Sequence, residues 1–99
     1  MTPPELMLAS LGTCAMYYAA EYLRVRSLPA AGLSVKVEAE KALKPARLAG
    51  FRIRVIAPHI DPQHAAGLGR AVKYCLIHNT LLAPPSIETV IETAVPALA

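Results

Sequence analysis

The residues with the greatest chemical reach in this 99-residue chain are its two cysteines, Cys14 and Cys75. A thiolate that attacks the O–O bond of a peroxide becomes a sulfenic acid, and a second thiol condenses with it to a disulfide before over-oxidation. That cycle needs two cysteines distant in sequence and close in space. It also needs a neighbouring cation, because an apolar setting raises the pKa of a thiol. The plain alternative is that both are small core residues, since free cysteine is among the most buried residue types. A permanent structural disulfide is the weaker option in a compartment that keeps thiols reduced. On residue types alone, the reacting pair and the core pair both stand.

Other side chains invite a role and offer less. Arg24 and Arg26 share the first helix with Cys14 but lie more than about two turns away along it, so neither suits the activating cation. His59, His64 and His78 together with the cysteines suggest a metal site. Only Cys75 and His78 stand close in sequence, however, and no second pair has ligand spacing, so no metal or other cofactor is expected. His64 reads as a solvated helix residue and His78 as a satisfied polar group near the cysteines. Tyr17, Tyr18, Tyr22 and Tyr74 are candidates to line an apolar peroxide pocket, with core or subunit contacts as the alternative. Tyr18, one turn from Cys14, is the best placed of them.

The elements that must position these residues read as an α+β domain, in the order α-β-β-α-β. Thr2, Pro3 and Glu5 form a helix start with a capping box, and the helix should run to about Arg26, before Pro29 and Gly32. Its apolar residues, from Leu6 to Leu23, do not keep to one narrow stripe, which predicts a central helix buried on most sides. Leu33, Val35, Val37 and Ala39 then alternate with Ser34, Lys36, Glu38 and Glu40 as in a half-buried strand. A turn at Lys44–Pro45 leads to a second strand, where Phe51, Ile53 and Val55 alternate with Arg52 and Arg54. The opposed acidic and basic sets suit antiparallel neighbours with a charged outer face. Asp61–Pro62 opens a second helix expected to reach about Cys75. Gly67 and Gly69 inside it each cost about 1 kcal/mol relative to alanine, which close packing against another backbone would justify. Ile77–Leu82 is expected to add a short helical turn, and Ile87–Val95, rich in Ile, Val and Thr, a last strand.

Size and composition bound the rest. The chain suffices for a single domain over 1–99. It is 55 % hydrophobic, with one Phe, four Tyr and no Trp. So apolar and small a chain is expected to complete its core against a second copy, as a homodimer. The net charge of +3 is mild, and its basic residues are dispersed, which argues against a nucleic-acid partner. Residues 6–20 carry no charge, but this stretch is shorter than the roughly 18–20 residues that span a bilayer. With no basic leader or cleavage pattern, the expectation is a cytoplasmic protein with no membrane partner.

The two cysteine segments carry a resemblance. Pro3-Pro4-Glu5-Leu6-Met7-Leu8-Ala9-Ser10-Leu11-Gly12-Thr13-Cys14 resembles the P-x-E-L-L-L-A-A-L-G-x-C signature of the OsmC/Ohr family. Lys73-Tyr74-Cys75-Leu76-Ile77-His78-Asn79-Thr80-Leu81 is similar to that family's second-cysteine segment, C-P-[IV]-x-x-[TS]-L. The resemblance implies an OsmC-like fold, with a long central helix packed on antiparallel sheet in an intertwined dimer. It implies a cysteine-based peroxidase that reduces organic hydroperoxides in oxidative-stress defence, with Cys14 peroxidatic, Cys75 resolving and a thiol reductant to restore them. The chain also departs from the pattern. It begins at the helix, without the strands that usually precede it, as a fragment, a reduced member or a chain with a mis-set start would. No residue matches the activating arginine of that early segment. The family's catalytic Glu position falls on Pro4, and the adjacent Glu5 fits the capping box. Leu76 replaces the proline after the second cysteine. A non-catalytic OsmC-like dimer with a binding or structural role is therefore the alternative.

Overall fold

The computed structural model describes residues 1–94. Helix α1 spans Pro3–Val25. The Thr2 side chain accepts from the Glu5 amide and the Glu5 carboxylate accepts from the Thr2 amide, the capping box its sequence predicts. Strands β1 (Ser34–Ala42) and β2 (Arg47–Ile56) form an antiparallel hairpin. Glu38 lies opposite Arg52 and Lys36 opposite Arg54, with a register shift between Glu40 and Lys41. Arg54 also reaches Glu38 diagonally at 3.8 Å. Both side chains are exposed, so this pair adds at most about 1 kcal/mol.

The second helical region differs from the single helix expected over Asp61–Cys75. A 3-10 turn at Pro62–His64 comes first, then α2 (Ala65–Val72) and, after a break, α3 (Leu76–Leu82). The Asp61 side chain caps the 3-10 turn by accepting from the Gln63 amide at 2.9 Å. Cys75 turns to ψ 128° and becomes the N-cap of α3, which is why the helical path stops before it.

The core lies between one face of α1, the inner face of the hairpin and α2. Leu11, Ala15, Ala19 and Leu23, each four residues after the last, are the buried residues of α1. Leu68 and Val72 of α2 join Ala15, Ala19 and Leu23, and Val35, Ile53 and Val55 pack against the cluster. Small residues at 15 and 19 let the backbones approach closely. Gly12 serves the same end, because a Cβ there would stand 3.1 Å from the Val37 side chain.

Two sequence expectations are corrected. Helix α1 is not buried on most sides: Leu6, Tyr17 and Val25 are more than half exposed. The hairpin and α2 cover one face of it and α3 meets it at Cys14, and no other element among the described residues reaches round to the rest. The final strand is also not formed, since residues 84–93 belong to no helix or strand. Its β-favouring residues Ile87, Val90 and Ile91 are exposed, and β-propensity makes a strand only when a neighbouring edge supplies the ladder. Val95, the predicted end of that strand, lies outside the described residues.

Candidate active site

Folding brings Cys14 and Cys75, 61 residues apart in sequence, to a Cα–Cα distance of 5.7 Å, where their sulfurs form a disulfide. The two partners differ in setting. Cys75 is completely buried, whereas Cys14 is only half-buried on α1. The Cys75 sulfur also accepts the His78 amide at 3.4 Å, so the same atom caps α3 and joins it to α1.

A shallow depression of about 620 Å³ opens beside Cys14, walled by Leu6, Thr13, Tyr17, Tyr18 and Ile77. Tyr17 and Tyr18 meet edge to face at 5.3 Å. The walls are apolar but for hydroxyl groups, and none of the lining residues carries a charge. Of the four tyrosines, Tyr17 and Tyr18 line this depression, while Tyr22 and Tyr74 line a different groove.

The charged residues near Cys14 in sequence are engaged elsewhere. Arg24 pairs with Glu21, and Arg26 lies 3.7 Å over the Tyr22 ring and donates to the Tyr22 carbonyl. Glu5 stays in the cap, accepting from the Thr2 hydroxyl at 2.8 Å. That hydrogen bond and the one from the Thr2 amide hold its carboxyl below the ordinary value.

The histidines do not behave as their sequence contexts suggest. His64 is not simply solvated: its Nδ1 lies 2.9 Å from the Tyr22 hydroxyl, across 42 residues. Gly67 makes room for this pairing, since a Cβ there would stand 2.8 Å from the Tyr22 ring. It is thus a side chain that Gly67 accommodates and not a backbone, and Gly69 faces open space. His78 is not a satisfied polar group, because its buried Nδ1 has no hydrogen-bond partner. Among the described residues, no three His, Cys, Asp or Glu side chains come together as a metal site would require. No helix there is long and apolar enough to cross a membrane.

This geometry can be set beside known proteins. The family model described as OsmC-like protein matches residues 1–90 of the chain. The chain belongs to the OsmC-like family. The fold agrees: a crystal structure from Psychrobacter arcticus 273-4, of a protein named for osmotic stress induction and a detoxification response, superposes with a TM-score of 0.71 at 19 % identity. That match covers 80 % of this chain and 58 % of the other, so the chain spans little more than half the length of the structure it matches. No curated protein matches it significantly. Within the OsmC-like fold, the long N-terminal helix and the antiparallel hairpin are the shared α+β frame, and Cys14 and Cys75 are the two cysteines it brings together.

Proposed function

We propose that this OsmC-like chain is a thiol-dependent peroxidase acting on organic hydroperoxides, with Cys14 as the attacking residue and Cys75 as the resolving one. The observation that carries the reading is the bonded pair itself, formed between a half-buried thiol beside an apolar depression and a fully buried one behind it. Membership of a family that includes stress and detoxification peroxidases supports it.

The Cys14 thiolate attacks the distal oxygen of the hydroperoxide. The O–O bond breaks, an S–O bond forms, and the leaving alkoxide takes a proton to become an alcohol. The Cys75 thiol then attacks the sulfenic sulfur, forming the disulfide and releasing water. A dithiol reductant completes the cycle by thiol–disulfide exchange. Among the described residues, the uncharged lining leaves the attacking thiolate without a cation. A second copy laid on the exposed side of α1, where Leu6, Tyr17 and Val25 stand open, is the proposed source of the missing cation and makes the working unit a homodimer.

Thiol titration of the reduced protein after one equivalent of cumene hydroperoxide tests the reading, with loss of both thiols expected. Survival of both thiols would favour a non-catalytic OsmC-like dimer, to which the uncharged depression lends its support, and full turnover by a Cys14→Ser variant would overturn the assigned roles.

A further inference from the structure

A second concavity lies away from the Cys14 depression, between the inner face of the hairpin and α2. It encloses about 560 Å³, within the usual range for small-molecule sites. Phe51, Ile53 and Val55 form one wall and Leu68 and Val72 the other. Its polar groups sit at the two ends. Asp61 lies at the start of the 3-10 turn that leads into α2, while Lys73 and His78 lie beyond the last turn of α2. The eight residues of α2 between them span about 12 Å.

We propose that this groove binds an alkyl carboxylate, with its chain between the hairpin and α2 and its head group at Lys73 and His78. Charge fixes the direction, since Asp61 repels a carboxylate at one end and Lys73 attracts it at the other. Lys73 forms no ion pair among the described residues and is free to do so. His78 contributes a hydrogen bond: its Nδ1 is enclosed and unpartnered, which leaves Nε2 as the nitrogen able to meet a ligand. A hydrogen bond to Nε2 favours a ligand with a polar head group over a plain hydrocarbon. A chain of about ten carbons fits the length of α2. The site is independent of the peroxidase reading, because it requires no redox step.

Decanoate, decanol and the oxidised protein are the materials for the test, with binding read by calorimetry. The expected result is saturable decanoate binding, at least ten-fold weaker binding of decanol, and a loss of about ten-fold for decanoate in Lys73→Gln. Lys73 is exposed, so this variant should fold normally, and His78→Phe tests the imidazole at similar ring size. Equal affinity for decanol and decanoate, or an unchanged affinity in Lys73→Gln, would overturn the assignment. Absence of decanoate binding by a protein that sediments as a dimer would assign the groove to a second copy instead.

Discussion

Helix α1 holds two neighbours by different means. On the side of α2 and the hairpin, Leu23, Ala15 and Ala19 are fully buried against Leu68, Val72 and the inner face of the sheet. On the side of α3, none of the residues of the attached helix is buried, and the link to α1 is the Cys14–Cys75 bond. Apolar burial spreads its stabilisation over many contacts that no redox change touches. A disulfide concentrates it in one bond that a thiol can break. Under the proposed peroxidase cycle this division lets the frame persist while the sulfurs change state: the two cysteines sit where attachment can change, and the core sits where it cannot.

The comparison can be broken or sharpened by measurement. The largest effect should come from Leu23→Ala, which leaves a cavity in the packed region and is expected to cost about 2–5 kcal/mol in urea unfolding. A cost well below this would mean that the α2 side is not the frame. Reducing the disulfide should come next. Opening a loop of this length typically costs about 2–4 kcal/mol, and amide exchange should rise in α3 while α2 keeps its protection. Equal loosening of both helices would erase the contrast.

Gly67→Ala should have a smaller effect. Alanine gains about 1 kcal/mol in helix propensity, but the new Cβ would crowd the Tyr22 ring, and overpacking costs about 1–3 kcal/mol. Net destabilisation is therefore expected, relieved in the double variant Gly67→Ala/Tyr22→Leu. The smallest effect belongs to the exposed start of α1, where Thr2→Ala should cost about 1 kcal/mol in a thermal melt. The contribution of Glu5 there has a defined pH sense. Its folded carboxyl lies below the ordinary value of 4.5, so its stabilisation is present above that value and is lost as pH falls through the depressed one. An acid titration of helicity in the wild type against Glu5→Gln checks that sign.

Much of the frame is legible in local pattern. The capping box at Thr2 and Glu5, the alternation of β1 and β2, and the pairing of acidic with basic residues across the hairpin all depend on neighbours in sequence or on a period that the strand itself imposes. The segmentation of the second helical region is less legible, because the stop before Cys75 serves a cap on α3 and not a helix breaker such as proline. The exposure of half of α1 is not legible at all, since apolar residues on a helix read alike whether another element of the same chain or a second chain covers them.

The sequence by itself determined the first helix, the two antiparallel strands of the hairpin and, through two ordered segments, the family and its pair of cysteines. Only the tertiary structure decided that the pair meets, that Cys75 is the buried partner and Cys14 the accessible one, and that His64 joins Tyr22 while a nitrogen of His78 is left without a partner. Those facts depend on how α1, α2 and α3 cross in space. Contacts across 42 and 61 residues are set by the packing of whole elements, and no local spacing encodes them.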